Sequence, residues 1–285
     1  MQSNNPVFRR SEAFSGSGAH GNQSRAGYGS DPSQWGVGAP GDTQGTAYAP
    51  TPQAPSAPMT IDSVVQKTGI TLGVVVLTAM ATWVMLPEIT EDTASSAIGT
   101  VSAVATFGFL GAFVLSLVNS FKKVISPPLV LAFAALEGVA LGAISMLFNV
   151  MYPGAVQGAV IGTFAAFAGT LTAYKVLNIQ VGDKFRKFVV AAVFGMIGLS
   201  LMELVLGLFG AQIGLFGVSG LGMVTAVAGL VLGVFMLIMD FDFVEQGIRY
   251  GAPERESWTA AFAMTVSLVW IYTNLLRIMA FFSQE

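Results

Sequence analysis

Hydrophobic and polar positions divide the chain near Pro58 into two parts of different character. Before that point no apolar run is longer than three residues, whereas from Ile61 onward seven long apolar stretches alternate with short polar breaks. Each stretch is long enough to cross a hydrocarbon core of about 30 Å as a helix of roughly 20 residues. Because backbone amides in lipid must pair internally, and the stretches lack the alternation of barrel strands, the pattern predicts membrane-spanning helices.

The predicted fold is an all-α membrane protein: a seven-transmembrane-helix bundle over residues 61–285, preceded by a disordered, Pro/Gly-rich tail over residues 1–60. The helices are expected at approximately 64–86, 95–119, 128–150, 155–177, 188–210, 215–240 and 258–282. Glycines spaced by four are expected to allow close helix contacts within the bundle, at Gly154, Gly158 and Gly162, at Gly138 and Gly142, and at Gly229 and Gly233.

Basic residues alternate between the polar breaks and thereby predict the orientation. The second break contains Lys122 and Lys123, the fourth Lys175, Lys184, Arg186 and Lys187, and the sixth Arg249 and Arg255. The first break is acidic, and the third and fifth carry no charge. The pattern predicts a multi-pass membrane protein with a cytoplasmic N-terminus and an outside C-terminus. Arg277, near the outer end, is expected to snorkel.

Composition removes several classes of chemistry. The chain has no Cys, and its single His, His20, lies in the predicted tail. A Gly217-Val218-Ser219-Gly220 segment matches the nucleophile motif of rhomboid proteases, but no base is available to activate the serine. A GxGD motif and a phosphate-binding loop are absent, and the net charge of -3 disfavours nucleic acid. We therefore expect neither an enzyme nor a cofactor.

Acidic residues at membrane depth are costly and indicate function. Glu137 lies near the middle of the third stretch; a protonated, hydrogen-bonded carboxyl and a role in conduction or proton sensing both remain open. Glu203, in the outer half of the fifth stretch, belongs to an ion pathway or merely reaches outward. Asp240 is predicted to end the sixth stretch just inside the cytoplasmic boundary.

The residues after Asp240 constrain which acid faces the bundle. Asp240 and Asp242 point in nearly opposite directions on a helix, so only one is expected to face inward. Glu245 and Arg249 are four apart and are expected to form a surface ion pair, which leaves Asp242 and Glu245 solvated and Asp240 inward. Lys122 and Lys123 lie at a similar depth, either as a latch for Asp240 or as topology markers.

Several segments together resemble the Bax inhibitor family, the superfamily of transmembrane Bax-inhibitor-motif proteins. These are the seven spans, Asp240-Phe241 at the end of the sixth, and Asn274-Leu275-Leu276-Arg277-Ile278 near the end of the seventh. The resemblance covers roughly residues 60–285. The opening Asn5-Pro6-Val7-Phe8-Arg9-Arg10 and the Pro/Gly tail look like the actinobacterial branch, which implies a location in the bacterial inner (plasma) membrane.

The resemblance implies a pH-sensitive calcium leak controlled by two aspartates, one ending the sixth span and one in the seventh. The first corresponds to Asp240, whereas the second position is Ser267, which cannot titrate. The family's basic residue at the cytoplasmic end of the second span corresponds to Lys122 or Lys123. The two-carboxylate sensor is therefore incomplete in this chain.

Two functions follow from these features. The first is a slow calcium leak channel in which Asp240 is the gate carboxylate and Glu137 a pore site, both binding Ca²⁺ transiently through oxygen ligands. The alternative is a non-conducting regulator that binds a membrane protease or another integral membrane protein through its tail. A proton-coupled transporter is a third class. We expect a monomer in the lipid bilayer.

Overall fold

A computed structural model of the chain describes residues 57–90, 93–211 and 213–284. Within these residues the secondary structure consists of seven α-helices and one isolated bridge. The helices are α1 (Ile61–Met85), α2 (Ala94–Phe121), α3 (Pro127–Met151), α4 (Ala155–Val176), α5 (Asp183–Leu208), α6 (Gly220–Arg249) and α7 (Glu256–Phe282). All seven are long and apolar enough to span a membrane, which confirms the predicted fold class.

Two helices differ from the predicted bounds. Helix α5 begins at Asp183 rather than near residue 188, with the acidic side chain in its first turn, where it complements the helix dipole. Helix α6 begins at Gly220 rather than near residue 215 and continues to Arg249, well beyond Asp240. The prediction that Asp240 ends the sixth helix was therefore wrong: the polar stretch that follows is helical, and its Asp242 and Glu245 have partners on neighbouring helices.

Helices α3 and α7 form the centre of the bundle, and each has many buried residues. Helix α3 packs mainly against α1 and α2, and α7 packs mainly against α6, α4 and α1. Helix α5 is peripheral, since among the described helices it packs only against α6, and of its residues only Val189 and Met196 are buried. The large apolar side chains exposed on α1, α2 and α5 form the surface that faces lipid.

Most of the spaced glycines lie at close helix contacts, as predicted. A Cβ atom at Gly142 would meet the backbone of Ala79 in α1, and one at Gly162 would meet Leu275 in α7. Similar contacts occur at Gly138, Gly158, Gly229 and Gly233. The prediction was wrong for Gly154, which has no neighbour within 4 Å and precedes α4 with a φ of 87°. Gly154 thus serves the turn before the helix.

Residues 57–60, which the sequence placed in the tail, pack against the bundle. The Met59 amide donates to the Ala252 carbonyl at 2.7 Å, and the Glu254 amide donates to the Ala57 carbonyl at 2.7 Å. Met59 is only 2% exposed, and Thr60 caps the first turn of α1. The helical domain therefore starts a few residues earlier than predicted. The predicted disorder of the rest of the tail concerns residues 1–56, which lie outside the described residues.

We expect Gly138→Ala to destabilise the bundle. The added methyl group would overlap Thr78 and the Val75 carbonyl, and the backbone of α1 can yield only by moving away from α3. Overpacking of this kind costs about 1–3 kcal/mol in the free energy of unfolding. The measurement is thermal or denaturant unfolding of the purified protein in detergent.

The matched control is Gly195→Ala in α5, where nothing lies within 4 Å of the added atom. Gly195→Ala should not lower the free energy of unfolding and can raise it by up to roughly 1 kcal/mol, because Ala has a higher helix propensity than Gly. Equal loss of stability in both variants would contradict the close contact between α1 and α3.

Candidate functional site: the carboxylates of helix α6

Three acidic side chains on α6 contact three different helices. Asp240, Asp242 and Glu245 lie within about one and a half turns of the C-terminal part of α6. At about 100° per residue they point in different directions around the helix axis. Asp240 contacts α7, Asp242 contacts α5 and Glu245 contacts α4. This part of α6 therefore joins the peripheral α5 to the centre of the bundle.

The Asp240 carboxylate lies between a hydroxyl group and an apolar cavity. Ser267 Oγ, on α7, donates a hydrogen bond to Asp240 Oδ2 at 2.6 Å, and Ser267 is only 1% exposed. On its other side Asp240 lines a cavity of about 180 Å³ whose other walls are apolar residues of α5 and α6: Val189, Val190, Val193, Phe194, Met236 and Met239. Asp240 is the only charged residue among those lining it. The position that the resemblance assigned to the second aspartate is thus in direct contact with Asp240.

Asp242 is buried, at 8% exposure, and the prediction that it is solvated was wrong. Its Oδ2 accepts a hydrogen bond from Arg186 Nη2 of α5 at 3.0 Å and another from Gln246 Nε2 at 2.7 Å. The prediction assumed that α6 has one covered face. The helix is instead covered by α7 on one side and α5 on the other, so opposite faces both meet neighbours.

Glu245 forms the predicted ion pair with Arg249, with Oε1 and Nη2 separated by 2.6 Å. Both side chains are about half exposed or more, so this pair adds little to stability. Glu245 Oε2 also accepts a hydrogen bond from the Tyr174 hydroxyl of α4 at 2.8 Å. No feature of the sequence indicated the tyrosine, because a contact between α4 and α6 is a property of the tertiary structure.

Lys122 and Lys123 lie away from Asp240. Ion pairs in the described part of the chain join Lys67 to Glu254, Arg186 to Asp242 and Arg249 to Glu245. The two lysines instead line a second cavity, together with Glu256. Helix α2 packs against α3 and does not reach α6. In this conformation the lysines form no latch with Asp240.

Glu137 is buried at 7% exposure near the middle of α3. Helix α3 does not pack against α6, so Glu137 and Asp240, the predicted pore site and gate carboxylate, are on separate helices without mutual contact. Nor does the described part of the chain contain a group of three or more acidic or histidine residues able to hold a metal ion. Glu137 and Asp240 are therefore two separate single-carboxylate positions.

Glu203 and Arg277 both hold the loop between α5 and α6. Glu203 Oε1 accepts a hydrogen bond from the Gly214 amide at 2.8 Å, while its buried Oε2 has no partner among the described residues. Arg277 Nη2 donates to the carbonyls of Leu215 and Gly222, each at 2.8 Å. The expected snorkelling of Arg277 was wrong, because the guanidinium is bound by the Leu215 carbonyl of this loop and by the Gly222 carbonyl in the first turn of α6. The segment from Asn274 to Ile278, which carries part of the resemblance, therefore has a structural role that the sequence did not indicate.

Seven membrane-spanning helices with α3 and α7 at the centre, and with acidic side chains of α6 held against neighbouring helices, define a multi-pass membrane protein. The family model described as Bax inhibitor 1 like matches residues 5–284. The chain therefore belongs to the Bax inhibitor 1-like family, as the resemblance in its sequence indicated. A search of curated proteins finds no match.

We expect Arg186→Gln to destabilise the contact between α5 and α6. It would leave the buried Asp242 carboxylate without its ionic partner, and such a charge is costly in a low-dielectric environment. Because the Arg186 side chain is partly exposed, we expect a loss of about 1–2 kcal/mol, less than for a fully buried pair. The loss in the free energy of unfolding is measured by unfolding the protein in detergent.

The matched control is Arg249→Gln, which removes the exposed partner of Glu245 on the same helix. The expected change is below about 0.5 kcal/mol. If Arg249→Gln destabilised the protein as much as Arg186→Gln, Asp242 would not be the acid that holds α5.

Proposed function

We propose that this protein is a pH-sensitive calcium leak channel with Asp240 as its gate carboxylate. The observation that carries the proposal is the position of Asp240, between Ser267 of α7 and an apolar cavity at the α5–α6 contact. Calcium favours oxygen ligands, and a carboxylate beside a cavity supplies one. Membership of the Bax inhibitor 1-like family supports the same function.

The architecture suggests how such a gate opens. An ionised carboxylate is costly in an apolar cavity unless water reaches it. Helix α5 packs only against α6 among the described helices, so α5 can move away without disturbing the packing of α3 and α7. In the proposed mechanism ionisation of Asp240 draws water into the cavity and parts α5 from α6. Protonation restores the dry contact, and this reversal is the source of the pH response.

The other residues that the sequence indicated have smaller roles in the proposed mechanism. Glu137 is proposed as a second acid on the pathway, reached only after a rearrangement, since α3 and α6 do not pack against each other. Asp240 and Glu137 each bind Ca²⁺ transiently. The protein acts without a cofactor, is not an enzyme, and works as a monomer in the inner membrane with its N-terminus in the cytoplasm. Lys122 and Lys123 mark the cytoplasmic end and have no part in the gate.

The alternative function is a non-conducting regulator that binds a membrane protease or another integral membrane protein through its tail, residues 1–56. Deletion of those residues separates the two. Loss of partner recovery with calcium flux intact supports a binding role beside conduction. Absence of flux in every variant, including the unaltered protein, supports the regulator alone.

We expect Asp240→Asn to hold the gate closed. The amide has the shape of the carboxylic acid but cannot ionise, so the cavity stays dry. Calcium efflux from liposomes containing the purified protein should fall several-fold at neutral pH and lose its response to pH. Glu245→Gln is the matched control, since Glu245 is an exposed acid on the same helix, and it should retain the response. Unchanged flux and pH response in Asp240→Asn would remove the gate assignment.

We expect Ser267→Asp to steepen the pH dependence of flux. The substitution would place a second carboxylate within hydrogen-bond distance of Asp240, and two carboxylates at that spacing titrate as a coupled pair. Ser267→Ala removes the hydrogen bond without adding a titratable group, so its profile should keep the original steepness. The measurement is liposome efflux across a pH series. The same profile in both variants would show that Ser267 and Asp240 do not act together.

A further inference from the structure

A second cavity, of about 390 Å³, lies between the end of α2 and the start of α7. Its walls include residues of α2 and the loop after it (Asn119, Ser120, Lys122, Lys123 and Ile125) and of α7 (Glu256, Thr259, Phe262 and Ala263). Helices α2 and α7 do not pack against each other, so the cavity occupies the gap between them. Its volume is within the range of small-molecule sites. It shares no residue with the cavity at Asp240.

One residue of the cavity wall, Asn119, has a buried side-chain amide without a hydrogen-bond partner among the described residues. The residue is only 4% exposed, and neither Nδ2 nor Oδ1 has a hydrogen-bond partner among the described residues. Buried side-chain amides are normally paired, and an unpaired one indicates a missing partner. One amide supplies both a donor and an acceptor. A ligand in the cavity that carries polar oxygen atoms would satisfy it.

Charges of both signs line the cavity. Lys122 and Lys123 provide two ammonium groups, and Glu256 provides a carboxylate that accepts a hydrogen bond from Thr259 Oγ1 at 2.8 Å. The wall between them is held in place, since Arg255 Nε donates to the Ile125 carbonyl at 2.9 Å. A ligand with one anionic and one cationic group would pair with both ends of this arrangement.

The cavity becomes apolar with depth. Glu256 begins α7, and Phe262 lies almost two turns further along, which corresponds to about 9 Å. Beside the lysines the apolar side chain of Phe121 is 83% exposed and that of Val124 48% exposed, as expected at the boundary between headgroups and hydrocarbon. A polar mouth above an apolar wall suits an amphiphile better than a free ion, and basic pockets between membrane helices bind lipid headgroups.

We propose that this cavity binds a phospholipid with a phosphoethanolamine headgroup. The phosphate lies between Lys122 and Lys123, the primary ammonium group pairs with Glu256, and Asn119, one turn deeper than the lysines, meets the ester oxygens of the glycerol. A glycerol headgroup lacks the cation for Glu256. A choline headgroup has the cation but no N–H to donate to the carboxylate, so it binds more weakly.

The test is native mass spectrometry of the full chain, delipidated in detergent and then given equal amounts of phosphatidylethanolamine, phosphatidylglycerol and phosphatidylcholine. Phosphatidylethanolamine should be retained in preference to the other two. Lys122→Gln combined with Lys123→Gln should lower its retention about tenfold, through loss of charge-assisted hydrogen bonds to phosphate. The control combines Lys184→Gln with Lys187→Gln, which removes the same charge from α5, outside the cavity, and should retain the lipid normally.

Glu256→Gln tests the headgroup assignment itself. Without the carboxylate, the preference should change from phosphatidylethanolamine to phosphatidylglycerol. Equal retention by the Lys122 and Lys123 double variant and its control, or an unchanged preference in Glu256→Gln, would overturn the proposal. Displacement of the lipid by inorganic phosphate at millimolar concentration would also overturn it, because the cavity would then bind an anion and not a lipid.

Discussion

A carboxylate in an apolar medium needs a polar partner, and this requirement organises the protein around α6. Asp240, Asp242 and Glu245 each find their partner on a different helix, namely Ser267, Arg186 and Tyr174. In lipid there is no hydrophobic force to hold one helix against another, so packing and such polar contacts carry the association. The acids of α6 thus help to set the positions of three neighbouring helices.

The strength of these contacts differs with their surroundings. The pair of Asp242 and Arg186 has a buried acid and is the main polar tie between α5 and the bundle, whereas the pair of Glu245 and Arg249 is exposed. Asp240 has a hydroxyl partner and no ionic one in this conformation. Of the three acids it is therefore the one whose charge is least compensated. The proposed gate needs a group of this kind, placed where a weakly packed helix can move.

The polar groups at the two ends of the bundle have different surroundings. At the predicted outer end Arg277 donates hydrogen bonds to the Leu215 carbonyl of the α5–α6 loop and to the Gly222 carbonyl in the first turn of α6. Glu203 binds the Gly214 amide of the same loop. At the other end residues 57–60 pair with the α6–α7 loop, and the gap between α2 and α7 leaves a cavity with charged walls. One end is closed by the protein's own side chains, and the other retains space for a ligand.

The amino-acid sequence by itself determined the seven helices and the family, because a membrane span depends on local hydropathy and length. The resemblance to the family implied that Ser267 occupies the position paired with Asp240, and the structure brings the two side chains into contact. The sequence misjudged Asp242, Arg277, Gly154 and residues 57–60, and it left Lys122 and Lys123 open between two roles. Each of these depends on which helices are neighbours. Asp242 is buried because α5 lies against its face of α6. Arg277 is bound because the α5–α6 loop lies close to α7. Hydropathy does not specify the order of helices in a bundle, so only the tertiary structure decided which polar groups meet.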